Sequence, residues 1–404
     1  MQFFDEYFKY VGETEAPMIY HRWCSIAMVS AWLGRDAWLP FGHGVIYPNQ
    51  FVLLLGPPGS RKSTGLNICK SILVQAGYKY FAPERTSLEM YLAGMVPKLD
   101  LEEDLETLVL DAPSESFICN GEFLDFIGRG DMDFLTLLTT LWDNLPEYSH
   151  PKLQSKSILV HKPTINILGG ATVKGLGLAI PAEALGTGVL SRLILVHSNP
   201  SGNLIDWPED VPEGAEDWVV QRLVDIKRII RGKISKTKEA GKLLGAIYRN
   251  NPGIDDSRFA DYSSRRYTHL LKLCAIIAIM ELRMEINRED VLIANTILYS
   301  AEKRMPAALG EFGRSKYSDA SNTILNILNH AVKPVTHNKL WKEVAKDLSK
   351  QSELGDIMRN LISADKVQIM NINSIQGYMP KHVESKTWDS QFILEGFLTL
   401  EEGM

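Results

Sequence analysis

The sequence predicts an α/β core with buried strands, a helical subdomain after it, and a small helix-and-hairpin module towards the C-terminal end. Three stretches carry that expectation. Phe51 to Leu55 is a five-residue apolar run suited to a buried strand, and it passes through a glycine-bearing turn into a helix from about Lys62. Residues 217–303 read as successive helices. Residues 320–381 change character, to three short helices followed by two strands around a polar turn, a winged-helix pattern.

The bulk numbers limit the rest. A chain of 404 residues is long for one domain and suggests two or three. The formal net charge of −6 leaves nucleic-acid contact to local basic patches rather than a global field. Cys24, Cys69, Cys119 and Cys274 are widely separated, without C-x-x-C spacing, and read as reduced, buried thiols; a zinc site is not expected. The opening Met1 to Glu6 lacks the basic and apolar regions of a signal peptide, and no apolar run approaches a bilayer span. A soluble intracellular protein is expected.

The stretch from Phe51 to Thr64, FVLLLGPPGSRKST, carries the chemistry. A strand, a turn and a helix N-terminus form a phosphate cradle, because backbone N–H groups and the helix dipole both favour an anion there. Gly56, Gly59, Ser60, Arg61, Lys62, Ser63 and Thr64 are the expected nucleotide contacts. Lys62 would reach the β- and γ-phosphates, and the Ser63 hydroxyl would ligate Mg²⁺. One position departs from G-x-x-x-x-G-K-[ST], since Arg61 stands where the last glycine belongs.

In chain order, residues 1–50 form a largely helical lead-in, with an amphipathic helix over Pro17 to Leu33. Trp38 and Tyr47 are better read as packing over the sheet than as base-stacking groups. Tyr78 to Phe81 reads as a short strand, Ser87 or Thr86 as a helix cap, and Leu99 to Leu110 as an acidic surface segment. Phe117 to Cys119 is a strand with Glu122 just past its end, where a carboxylate can polarise the attacking water or merely cap the next helix. The Asp that often precedes such a Glu, holding Mg²⁺ through water, is here Gly121; Asn120 and Asp125 are the substitutes. Tyr148 to Pro163 reads as a β-hairpin whose Lys152 and Lys156 could face phosphates.

Thr164 to Thr172 is the next buried strand, and Thr172 at its tip could sense a γ-phosphate or cap the following helix. Arg192 follows a glycine turn at the mouth of the strand Leu193 to His197, a place suited to neutralising phosphate charge in a neighbouring subunit. A linker of Pro, Gly and acidic residues spans 199–216, and a basic cluster (Lys227, Arg228, Arg231, Lys233, Lys236, Lys238) follows. Asn287 with Asp290 caps a helix running to Lys303. The final acidic segment carries Trp388, Phe392 and Phe397, and reads as a strap along its own domain or a docking tail.

With these residues in order, the chain resembles phage replicative helicases, and more narrowly a phage and plasmid ATPase family associated with primase–helicases, through the GPPGSRKST loop and Glu122-Phe123-Leu124-Asp125-Phe126. A looser similarity, through Leu190-Ser191-Arg192 and the helical region, is to AAA+ helicases of the minichromosome-maintenance type. The resemblance implies an AAA+ P-loop core over 51–200 behind a helical segment 1–50, a helical lid over 201–305, a winged helix over 318–383 and an acidic aromatic tail over 384–404. It implies ATP and Mg²⁺ as cofactors, with Ser63 and, through water, Glu122 at the metal. Arg192 becomes an arginine finger, Arg265 (or Arg266) a lid arginine at the nucleotide, and Lys152 and Lys156 a DNA-gripping hairpin. The implied protein is a ring, most simply a hexamer, moving on single-stranded DNA in the cytoplasm of a bacterial host beside polymerase, primase or single-strand-binding protein. Two alternatives stand: an ATP switch such as a helicase loader or transposition regulator, and a degenerate, non-hydrolysing scaffold.

Overall fold

A computed structural model describes residues 1–96, 113–151, 157–180, 188–310, 316–331, 333–346, 348, 350–363, 366–372, 375–381, 388–394 and 396–398. Contacts divide the chain into two units, Met1–Gly310 with Trp388–Met404, and Glu311–Thr387.

The first unit runs α1 (Gln2–Val11), α2 (Met18–Leu33), β1 (Ala37–Phe41), β2 (Gly44–Ile46), β3 (Phe51–Leu55), α3 (Lys62–Gln75), α4 (Leu88–Met95) and β4 (Glu115–Asn120). It continues through α5 (Phe123–Ile127), α6 (Met132–Leu141), β5 (Glu147–His150), β6 (Ile158–His161), β7 (Thr164–Ala171), α7 (Val173–Ala179) and β8 (Ile194–His197). Then come α8 (Ala215–Ile229), β9 (Gly232–Lys233), β10 (Ser235–Lys236), α9 (Lys238–Arg249), α10 (Ala260–Met280), β11 (Glu285–Ile286) and α11 (Arg288–Leu309).

The central sheet is parallel throughout, in the order β4-β7-β3-β8. All five residues of β3 and all eight of β7 are buried, as a parallel sheet covered on both faces requires. Register aligns Leu55, Ala171 and His197 at the C-terminal edge, with Asn120 opposite Gly169 nearby. That edge is where open α/β sheets bind ligands.

Two expectations change. The helix over Met18–Leu33 is buried on all sides rather than amphipathic, with every residue after Met18 inside. It fills the space between the sheet, α3, α8 and α10, so no stripe of it meets solvent. Residues 78–81 make only a single bridge, Phe81 to Phe117, where a strand was expected. Two backbone bonds to Phe117, with ring contacts among Tyr78, Phe81 and Phe117, hold this segment instead of a longer ladder.

Elsewhere the local signals act as expected. Ser87 and Asp131 cap α4 and α6 through their side chains. Asn287 and Asp290 form a reciprocal capping box at the start of α11. β5 and β6 pair as an antiparallel hairpin; Lys152 and Lys156 lie outside the described residues, as does the acidic segment 99–110.

The C-terminal segment packs on the first unit. Asn295 donates to the Phe392 carbonyl, the Leu394 amide donates to Thr296, and Trp388 covers the Arg266 guanidinium. The second unit holds α12 (Lys316–Asn329), β12 (Val335–Thr336), α13 (His337–Val344), α14 (Gln351–Ser363), β13 (Val367–Ile372) and β14 (Ile375–Pro380). Its strands pair antiparallel in the order β12-β14-β13, around a core of Ile324, Leu328, Leu340, Leu354 and Met358. No described helix is long and apolar enough to cross a membrane.

Candidate active site

The turn after β3 is held in an anion-ready shape by its own sequence. Gly59 adopts φ 81°, a left-handed conformation that glycine takes without strain. Gly56 is needed for closeness: a Cβ there would stand 2.4 Å from the Ser198 carbonyl and 2.5 Å from the Tyr20 hydroxyl. Tyr20 donates to the Leu55 carbonyl at 2.6 Å and lies 2.9 Å from the Ser198 carbonyl, tying α2, the loop and the end of β8 together.

Arg61 occupies the expected glycine position with φ 56°, so a side-chain residue sits in the left-handed region. Its guanidinium Nε donates to Glu15 at 2.7 Å, and Glu15 also accepts from the Ile205 amide at 3.1 Å. These two bonds, the Ile205 amide first, hold the Glu15 carboxyl below its ordinary pKa. Arg61 thus joins the loop to the lead-in and to the segment after β8.

α3 begins at Lys62, so the amides of its first turn lie beside the loop, that of Thr64 donating back to the Arg61 carbonyl at 3.2 Å. The Lys62 ammonium donates to Gly56 O, Pro57 O and Ser60 Oγ, each at 3.0 Å. Partial burial lowers its pKa, and the Glu122 charge pulls the other way. The Lys62 ammonium suits a polyphosphate: three loop oxygens hold the places that phosphate oxygens would take.

Glu122 follows β4, with its amide bound to Asn120 Oδ1 at 2.9 Å, while Asn120 Nδ2 donates to the Glu84 carbonyl at 2.8 Å. It sits at the N-cap of α5 without a side-chain capping bond, so the capping alternative is not used. With β7 between β3 and β4, the strand that leads to Glu122 runs two strand spacings, about 10 Å, from the strand that leads to the turn. Gly121 faces Ser63: a Cβ there would lie 3.7 Å from Ser63 Oγ. Asp125, the other candidate metal helper, is bound by Arg85 at 2.8 Å. Among the described residues no group of three or more His, Cys, Asp or Glu side chains could hold a metal ion, so a cation here would rely on Ser63, phosphate and water. Thr172 caps α7, its hydroxyl accepting from the Gly175 amide at 2.9 Å.

Arg192 is elsewhere. Ile194 is in register with Val52, so Arg192 lies about five residues, roughly 16 Å, down the strand direction from Leu55. It is 7% exposed and meets Asp143 at 2.9 Å. Arg265 joins the same carboxylate at 3.9 Å, and both guanidinium groups lie over the Trp142 ring. Lys272 is buried 3.8 Å from that ring centre, and its burial drives its pKa far down. The lid-arginine position expected for Arg265, at the nucleotide, is therefore not where this side chain stands in its own chain. Arg266, the alternative, is buried with Glu302 at 2.7 Å and with Asn295 at 2.9 Å.

The structure brings two unforeseen residues to the sheet edge that carries the turn after β3. His197 stands opposite Leu55, and its pKa is lowered by burial, then by the Arg304 and Lys62 charges. Arg304 projects from α11 and donates to the Ser300 carbonyl at 3.1 Å. His197, Arg304, Pro17, Ile19, Asn199 and Ala307 line a cavity of about 320 Å³. The basic residue six before the α11 glycine stop is visible in sequence, but its approach to β8 depends on a helix that runs on through Pro306 rather than ending at Lys303.

No protein-family model matches the chain, and no curated protein matches its sequence.

Proposed function

We propose that the protein binds and hydrolyses ATP with Mg²⁺ as an AAA+-type motor, assembles as a ring and moves on single-stranded DNA, in the manner of phage replicative helicases. The observation that carries the reading is the shared edge of Lys62, Ser63 and Glu122, with β7 inserted between the loop strand and the carboxylate strand. Lys62 and the α3 amides bind phosphate, and Ser63 contributes a hydroxyl to the cation. Bound Mg²⁺ would neutralise phosphate charge. Glu122 orients and deprotonates water, and Thr172 keeps a hydroxyl hydrogen that can turn towards the terminal phosphate. Arg304 and His197, with the 320 Å³ cavity, receive the remainder of the nucleotide.

Arg192 faces the edge away from Lys62, so any contact with a reacting phosphate is with the nucleotide of a neighbouring copy, and Arg265 stands beside it. The unit 311–387 serves as the winged helix, and the β5–β6 hairpin grips DNA through Lys152 and Lys156. The setting is bacterial cytoplasm, with other replication proteins as partners.

A steady-state ATPase assay with and without single-stranded DNA, with particle imaging, tests the reading. Lys62→Ala and Glu122→Gln each abolish hydrolysis, and rings form with nucleotide. ATP turnover unchanged by Lys62→Ala, or monomers with ATP and DNA present, overturn it. A switch that binds without unwinding is the second reading, favoured by the way Asp143 occupies Arg192 within its own chain; strand displacement decides against it.

A further inference from the structure

The basic cluster that follows α8 separates into two parts. Lys227 is bound to Asp36 at 2.8 Å and Arg228 to Asp225 at 2.7 Å, which makes them structural. The stretch from Arg231 to Arg249 is different. It holds Arg231, Lys233, Lys236, Lys238, Lys242 and Arg249 against the single acid Glu239, in a chain whose net charge is −6. All six are in exposed or partly exposed backbone, and none forms an ion pair among the described residues.

Aromatic rings stand at the same place. The β1–β2 hairpin pairs with β9, setting Trp38 beside Lys233, and packs against α10. Phe41 near its tip is 52% exposed and Tyr248 on α9 is 62% exposed. Tyr267 of α10 joins them, with its ring centre 6.3 Å from that of Phe41 and 4.8 Å from that of Tyr248. Exposed rings rimmed by charge mark an interaction surface more often than a solvated one.

The helix between them is smoothed. Gly241 and Gly245 lie one turn apart on α9, and a Cβ at either would meet only the Lys236 or Arg249 side chain. No buried neighbour requires either glycine, although each weakens a helix interior. Their effect is to let another backbone come close between Lys236, Arg249 and Tyr248.

We propose that the β1–β2 hairpin, the β9–β10 connection and the outer face of α9 bind single-stranded nucleic acid, with the cations following phosphates and Phe41 and Tyr248 stacking on bases. Unpaired cations answer the polyanion, and bare rings answer bases that a duplex keeps stacked. The partner is the one proposed above, but the surface uses no residue of the phosphate loop.

The test is fluorescence anisotropy of the full chain with labelled oligothymidylate of about 20 nucleotides, without ATP, across a salt series. Binding weakens with salt in the wild type. Reversing Lys233, Lys236 and Lys242 together to Glu lowers affinity tenfold or more and lowers the log–log salt slope by about 2, near 0.7 per lost phosphate. Tyr248→Ala costs about tenfold with the slope unchanged, the signature of a lost stack. Should the reversed chain melt early, the three Lys→Gln changes give the same readings in smaller measure. Undiminished affinity in the charge variants, no effect of Tyr248→Ala, or duplex DNA competing as well as the single strand each overturn the proposal. Lys62→Ala leaves this binding intact, so a protein that lacks ATPase activity yet binds through these residues loses the motor reading and keeps this one.

Discussion

Arg192 and Asp143 meet at 2.9 Å at the edge of the sheet opposite Lys62, and Arg265 shares the same carboxylate. Two guanidinium groups thus share one acid near Trp142, with the buried Lys272 amine on the same ring. Asp143→Asn leaves a nearly buried guanidinium without its counter-charge. Because the carboxylate is 46% exposed and partly screened, the loss is about 1–2 kcal/mol rather than the full cost of a buried pair, measured by urea unfolding. Arg192→Ala is expected to retain ATP affinity and lose hydrolysis. Mixing it with Lys62→Ala restores turnover, because each variant supplies what the other lacks. A mixture as inactive as its parts would show that Arg192 does not act on a neighbour.

Arg61 and Glu15 offer a separate measurement. A side-chain residue at φ 56° costs about 1–2 kcal/mol relative to glycine, and the solvent-screened ion pair offsets only part of it. Arg61→Gly is therefore neutral or slightly stabilising, while Glu15→Ala keeps the strained conformation, loses the pair and releases the Ile205 amide. Thermal melting of the two singles and the double gives the coupling directly. A marked destabilisation by Arg61→Gly would show that Arg61 contributes more than this pairing.

The proposed nucleotide binding predicts a proton-linked signature at His197. Burial, Arg304 and Lys62 all hold its pKa down in the free protein. A polyphosphate at the loop offsets both cations, so the pKa rises on binding and protons are taken up. ATP affinity then increases as pH falls below neutrality. Calorimetry in buffers of different ionisation enthalpy reads the uptake, and His197→Asn is expected to remove it.

Glu115, at the opposite end of β4, gives a stability test independent of any ligand. Burial raises its carboxyl from 4.5 to about 7, against the opposing pull of Lys227, with Asp36 adding to the rise and Arg35 opposing it. The folded state therefore binds a proton more tightly than the unfolded chain. That contribution is complete below pH 4.5 and is lost as pH rises through about 7. Over this window the wild type loses up to about 1.4 kcal/mol per pH unit from this group. Glu115→Gln gains relative stability over the same range, visible in denaturation midpoints at pH 5 to 8.

Much of this was legible in the chain and the remainder has physical reasons. Phe51 to Leu55 announces a buried strand because every residue is apolar, and Asn287 with Asp290 announces a helix start because capping is local. What failed depends on tertiary context. The segment to Leu33 looks one-sided in sequence, yet inside the fold Ser25 and Ser30 donate to Arg22 O and Pro48 O, and His21 meets Thr14 through Nε2. Arg265 and Arg266 differ by one position and a rotation of about 100° on one helix, enough to send one to Asp143 and the other to Glu302. Arg304 was missed because only the fold sets α11 against β8.

Gly121 is the departure that weighs most on the proposed Mg²⁺ site, and the space around it makes the departure reversible. A Cβ at this position meets only Ser63 Oγ, at 3.7 Å, an ordinary contact, and its φ lies outside the left-handed region. An aspartate is therefore tolerated, and its carboxylate would project to the side of the loop where the Ser63 hydroxyl stands. Hard divalent cations gain affinity from each added carboxylate oxygen, directly or through water. Gly121→Asp is expected to melt close to the wild type and to lower the Mg²⁺ concentration for half-maximal ATP turnover about tenfold, the equivalent of one charge-assisted contact of about 1.4 kcal/mol. By contrast Gly170→Ala, whose Cβ would stand 2.5 Å from the Gly121 carbonyl, is expected to disturb the same corner and lower stability by about 1–3 kcal/mol. A Mg²⁺ titration of Gly121→Asp that matches the wild type would place the cation away from Ser63, and would remove this hydroxyl from the metal's ligands.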